Sequence, residues 1–122
     1  MSEARRLDSA AWVAEAALGK KAERVVALDV SGLTSIADVF VIATGTSDRH
    51  ARAIADAIVE EAPRHGRRVL GVEGYEDARW LLIDLDDVIV HVFLPEVREA
   101  YDLERLWSDA PALVVDEAGA AN

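Results

Sequence analysis

The chain has 122 residues, 52% hydrophobic and 30% charged, with 23 acidic against 13 basic side chains and a net charge of −10. That length suits one domain able to bury roughly two thirds of its unfolded surface, and the composition is that of a folded globule, not of a disordered tail. The absence of cysteine excludes disulfides and Cys-ligated zinc, and no apolar run reaches the ~20 residues of a membrane helix, because Asp84, Asp86 and Asp87 interrupt the longest one.

The N-terminal "MSEARRLDSAAW" carries basic residues with no apolar stretch behind them, so no signal peptide is expected and the expected location is cytoplasmic. Asp8 or Ser9 can cap a first helix through Leu18, with Trp12, Val13, Ala16 and Ala17 on its apolar side and Gly19 as its stop. "RVVALDV", Arg24 to Val30, is short and β-branched and predicts a strand. The turn-rich "SGLTSIAD" leads to a second strand, "VFVIATG", Val39 to Gly45, apolar enough to be central. Ser47 then opens the clearest helix. Ala51, Ile54, Ala55, Ile58, Val59 and Ala62 fall at i, i+3, i+4, i+7, i+8 and i+11, one stripe ended by Pro63 and Gly66.

"RRVLGVEG" predicts a third strand, and "RWLLIDL" and "VIVHVFL" predict two more joined by a tight turn at Asp86–Asp87. Pro95 suits the first turn of a helical segment carrying Val97, Ala100 and Tyr101. Asp102 can recap a further turn with Leu103, Leu106 and Trp107. The end, "APALVVDEAGAAN", finishes in small and polar residues, so one domain is expected over 1–115 and a flexible tail over 116–122. The sum is an α+β fold, a mixed five-stranded sheet with helices packed on it, in the order αββαβββα.

Two chemistries compete for the acidic residues. In one extended strand Asp84 and Asp86 would share a face and could hold a divalent metal, while "GTSDRH" opening a helix could hold a triphosphate on free backbone N–H groups. That is the outline of a nucleotidyltransferase site, but the turn has one glycine and no lysine and is not a Walker loop. The other reading makes Asp86–Asp87 the hairpin turn, which takes Asp86 off the face of Asp84, and makes Ser47 and Asp48 ordinary helix caps. His50, His65 and His91 stand at no metal-binding spacing, and His91, inside a strand, is read as a hydrogen-bonded, partly buried residue. Arg64, Arg67 and Arg68 could touch phosphate or simply complement a helix C-terminus.

The charge argues against dominant direct nucleic-acid binding, which usually shows as a basic patch, and favours a basic partner met through electrostatic steering. Tyr75 and Trp80 flank the polar "EDA", and Tyr101 and Trp107 follow the last strand, where they serve either as core or as interface anchors.

"ALDVSGLTSIADVFVIATGTSDRH", "GVEGYEDARWLLIDLDDVIVHVF" and "YDLERLWSDA" together resemble the Iojap family of ribosomal silencing factors, from about Ala27 to Ala110. One departure is visible: the family's hairpin usually has glycine before the second aspartate, where this chain has Asp86. The resemblance implies a nucleotidyltransferase-like fold with neither the transferase chemistry nor a cofactor or metal. It implies binding to the large ribosomal subunit through its fourteenth protein, steric block of joining with the small subunit, and repression of translation when nutrients are short. Carried over position by position, Trp80 is the expected anchor and Leu82 lies on its strand face. Tyr75, Asp77, Asp84, Tyr101 and Asp102 are expected as further contacts. Two other classes stay open, a residual metal-dependent nucleotidyltransferase using Asp84 and Asp86, and a homodimeric scaffold paired through edge strands or the Trp80 patch.

Overall fold

The computed structural model describes residues 2–115; the tail expected over 116–122 lies outside them. Helices α1 (Glu3–Ser9) and α2 (Ala11–Gly19) lead into strands β1 (Glu23–Asp29) and β2 (Val39–Thr44), then helix α3 (Asp48–Glu61) with a 3-10 turn at Ala62–His65. Strands β3 (Gly71–Glu73), β4 (Trp80–Asp84) and β5 (Val88–Phe93) follow, then α4 (Pro95–Tyr101), α5 (Leu103–Leu106) and β6 (Ala112–Val114). The sheet has the order β3-β4-β5-β2-β1-β6. Only β2 and β5 run parallel, from Val39 beside Val88 to Thr44 beside Phe93; the other pairs are antiparallel.

Two expectations are corrected. Among the described residues the sheet has six strands, not five: β6 arises in "APALVV", where no strand is expected, because its backbone completes the outer edge of β1, with Ala112 opposite Leu28 and Val114 opposite Val26. Flanking bonds from Asp29 N–H to Pro111 O (2.9 Å) and Val115 N–H to Val25 O (2.8 Å) continue that ladder. Three residues carry too little periodicity to announce a strand; pairing makes this one. The first helix is also two. The chain bends at Ala10 (φ −102°, ψ 0°), and α1 starts earlier than expected, with the Ser2 hydroxyl accepting the Arg5 N–H. The bend lets Leu7 and the Trp12–Val13–Ala17 side of α2 enter one core, which a straight helix capped at Asp8 or Ser9 could not do.

Side chains alternate across the strands, as a period of two requires. Val39, Val41 and Ala43 of β2, Val88, Val90 and Val92 of β5, and Leu81 and Ile83 of β4 face α1, α2 and α3. The stripe Ala51, Ile54, Ala55, Ile58 and Ala62 meets them, with Val59 at its margin. Each fully buried Ile or Leu here contributes roughly 1.5–3 kcal/mol of transfer free energy. The opposite face carries Leu28, Phe40, Ile42 and Phe93, covered by Val97, Leu103 and Trp107 from the short C-terminal helices. Those helices reach only part of that face.

A buried charge holds this lid in place. Arg98, 1% exposed, donates from Nε and Nη2 to both oxygens of Glu104 (3.0 and 2.9 Å) and from Nη1 to the Thr44 hydroxyl (2.8 Å). The Arg98 hydrogen bond keeps the Glu104 carboxyl below the usual carboxylate range. Removing one partner of such a pair strands the other in low dielectric, a loss of roughly 3–5 kcal/mol. Glu104→Ala should therefore lower the urea-unfolding free energy by about 3 kcal/mol or more, whereas Glu61→Ala, which breaks exposed contacts to Arg64 and His65, should change it by about 1 kcal/mol or less. Equal effects from the two variants would show that the Arg98–Glu104 pair does not hold the lid.

Candidate functional site

The turn between β4 and β5 settles the place of the acidic residues. Leu85 N–H donates to Val88 O (2.9 Å), leaving Asp86 and Asp87 as the two central residues, with Asp86 at φ +76°. This is the left-handed geometry that favours glycine and that aspartate tolerates better than most residues. Asp84 Oδ1 accepts the Asp86 N–H (2.8 Å), so its carboxylate is spent on the turn, and the Asp87 carboxylate pairs with Arg67. The start of α3 is likewise self-capped: Ser47 Oγ takes His50 N–H and Asp48 Oδ1 takes Arg49 N–H. Two N–H groups that could cradle a phosphate are thereby engaged. Among the described residues no three His, Asp or Glu side chains gather in a way that could hold a metal ion. The turn-and-cap alternative is the one the geometry supports.

What the strands do assemble is an aromatic cluster. Trp80, Leu82 and Asp84 alternate with the buried Leu81 and Ile83, so all three stand half-buried on the partly covered face. Trp80 lies opposite Phe93 and Leu82 opposite His91 across the β4–β5 ladder. The Trp80 ring centroid is 4.9 Å from that of Phe93 and 4.7 Å from that of Tyr101, which α4 brings over from beyond β5. Tyr101 remains 59% exposed and Leu106 71% exposed, so the cluster is sealed beneath and open above.

The orientation of the indole is fixed by a residue that the sequence did not single out for that role. Trp80 Nε1–H donates to His91 Nδ1 (3.1 Å), which puts the imidazole proton on Nε2. His91 is 6% exposed, and Nε2 is buried without a hydrogen-bond partner among the described residues, while the Phe40 ring meets the imidazole edge to face at 5.1 Å. Burial lowers the His91 pKa from its ordinary 6.5 to about 4. A proton added at Nδ1 would oppose the indole N–H, so this arrangement requires the neutral ring. The expected hydrogen bond is present, but the ring is buried where a partly buried one was expected. Only its strand face was legible in "VIVHVF", where a period of two sets Ile89, His91 and Phe93 on one side; the bond to the indole was not.

The remaining expected contacts divide. Asp77 joins Trp80, Val97 and Tyr101 around one open cavity of about 300 Å³. Asp102 caps α4 through its N–H to Arg98 O (2.8 Å) at φ +49°, beside Tyr101, but its side chain makes no capping bond to α5. Tyr75 is drawn away. Its hydroxyl donates to Asp56 of α3 (3.0 Å), and Arg52 Nε reaches its carbonyl (2.9 Å), which fastens the Gly74–Ala78 turn to the helix layer. Sequence spacing placed Tyr75 near Trp80, and the turn reverses its direction. Gly74 is needed there: at φ +77°, an added Cβ would lie 2.2 Å from Trp80 O.

Fold and cluster together define an α+β protein built around an exposed aromatic face. Residues 3–122 match the profile of the family described as RsfS, ribosomal silencing factor during starvation, and the chain belongs to that family. It is 46% identical over 97 residues to the ribosomal silencing factor RsfS of Bacillus subtilis, covering 80% of this chain and 82% of that one. A mouse protein named for mitochondrial assembly of the ribosomal large subunit is 38% identical over 74 residues, which cover 58% of this chain and 32% of that one. A crystal structure of a Chromobacterium violaceum protein superimposes with a TM-score of 0.81 at 37% identity, covering 84% of this chain and 85% of that one. The resemblance read from three segments of sequence is thus borne out.

The depressed His91 pKa carries a pH dependence whose sign follows directly. Between about pH 6.5 and 4 the unfolded chain binds a proton at His91 that the folded chain does not, so stability falls as pH falls across that window. The full shift is worth about 3 kcal/mol. His91→Phe should flatten the stability–pH profile between pH 6.5 and 4 relative to wild type. Parallel profiles would mean that His91 titrates normally in the folded protein.

Proposed function

We propose that this chain is a ribosomal silencing factor that binds the large ribosomal subunit through its fourteenth protein and, by its bulk, blocks joining with the small subunit. Translation then falls when nutrients are short. The frame is read as nucleotidyltransferase-like in outline and used for grip without transfer chemistry. The observation that carries this reading is the Trp80 indole. It is aimed by His91, clasped by Tyr101, and stands on the sheet face that the helices leave half open. The family names point the same way, and so does the net charge of −10, which suits a basic surface reached by electrostatic steering.

Steric occlusion needs affinity and shape only. Affinity concentrates in aromatic anchors near the centre of an interface, where truncation costs on the order of 2 kcal/mol or more, roughly thirtyfold in binding. Leu82 extends the apolar area along the same strand face, and Asp84 closes it at the turn.

Sedimentation of purified protein with separated ribosomal subunits tests the reading. Wild type should migrate with the large subunit alone and lower the yield of joined ribosomes. Trp80→Ala and Tyr101→Ala should bind at least about thirtyfold more weakly. Tyr101 is exposed enough to be truncated without unfolding the chain, which keeps the comparison informative should Trp80→Ala be unstable. Wild type left at the top of the gradient, or a folded Tyr101→Ala that binds like wild type, contradicts the proposal.

A further inference from the structure

The cavity beside Trp80 has a chemistry of its own. It is about 300 Å³ in volume and lies between the Gly74–Arg79 segment and α4. Trp80 and Tyr101 supply aromatic surface, Val97 and Ala100 supply apolar surface, and Asp77 and Glu96 supply carboxylates. Among the described residues neither carboxylate makes an ion pair or a hydrogen bond within the chain, although the acids at Asp29, Asp87 and Glu104 are each matched to an arginine. One cation, Arg79, also lines the cavity, and it too is without a side-chain partner among the described residues. The lining therefore has two negative charges against one positive, beside two aromatic rings packed at 4.7 Å.

We infer that this cavity receives a single basic side chain, an arginine or lysine, projecting from the macromolecule that docks on the Trp80 face. Three observations on different residues agree. Aromatic rings attract a cation to their faces, and arginine is the commonest guest of such surfaces. An aliphatic stem finds apolar contact on Val97 and Ala100 while its head stays near water and the carboxylates, as long basic side chains generally prefer. Asp77 and Glu96, left unmatched by the chain itself, both line the cavity and offer charge-assisted hydrogen bonds, one from the turn and one from α4. An acidic or apolar guest would meet two unpaired carboxylates and lose their hydration. Arg79 acts against the guest and so sets a ceiling on its affinity, a specificity device in which a like charge weakens what the acids attract.

The inference rests on the docking reading of the Trp80 face, and its test separates the two. Binding of purified large ribosomal subunits is measured for wild type, Tyr101→Ala, Arg79→Gln and the double variant Asp77→Asn with Glu96→Gln, each at low and high salt. All four substituted residues are exposed, so the variants keep the fold, which circular dichroism verifies. The double variant should bind about tenfold more weakly and show a shallower salt dependence, while Arg79→Gln should bind a few-fold more tightly. Unchanged or tighter binding by the double variant, or weaker binding by Arg79→Gln, overturns the basic guest while a Tyr101→Ala defect leaves the docking face intact. Failure of wild type to bind, or full binding by Tyr101→Ala, overturns the docking reading and the guest with it.

Discussion

The parallel pairing of β2 and β5 decides most of the architecture. Two adjacent parallel strands cannot be joined by a tight turn, so the chain between Thr44 and Val88 must cross over, and it does so through α3, β3 and β4. That crossover puts the long amphipathic helix on one sheet face and brings β4 back antiparallel beside β5. The helix layer of α1, α2 and α3 covers the central strands of its face, burying Val41, Ile83 and Val90. What remains for the other face is two short helices of seven and four residues, enough to cover Phe40 and Phe93 but not the outer half where Trp80, Leu82 and Asp84 stand. The open aromatic surface follows from unequal cover on a two-faced sheet.

Rigidity at that surface comes from polar groups beneath it. Arg98 ties α4 and α5 to the end of β2 through Glu104 and Thr44, and α4 in turn positions Tyr101 against Trp80. His91 fixes the indole from the neighbouring strand and must stay uncharged to do so. Leaving the His91 Nε2–H buried without a partner among the described residues costs roughly 1–3 kcal/mol, an expense consistent with a ring held for its acceptor atom. An anchor already in place loses less conformational entropy on binding than one that must be ordered first.

Long periodic segments are legible in the sequence itself. The stripe of α3, the strands flanking Asp86–Asp87 and the alternation that sets Leu82 beside Trp80 all depend on periods that a sequence displays directly. What was not readable depends on distant partners. β6 exists because β1 has a free edge, and the bend at Ala10 exists because Leu7 and α2 share one core. Tyr75 sits five residues from Trp80 yet points to Asp56, since the left-handed Gly74 and Ala78 turn the chain between them. The family resemblance supplied Trp80 as anchor. The bond from its indole to His91, and the Glu96 that lines the cavity with Asp77, came only with the fold.

The central claim is that the half-covered face, and not the helix layer behind it, meets the ribosome. A photo-reactive side chain placed at Leu82, compared with one placed at the exposed Glu15 of α2, tests this most directly in a mixture with purified large subunits. Cross-links to a large-subunit protein from position 82 and none from position 15 are the predicted result. Cross-links from position 15 alone would turn the molecule around and contradict the account.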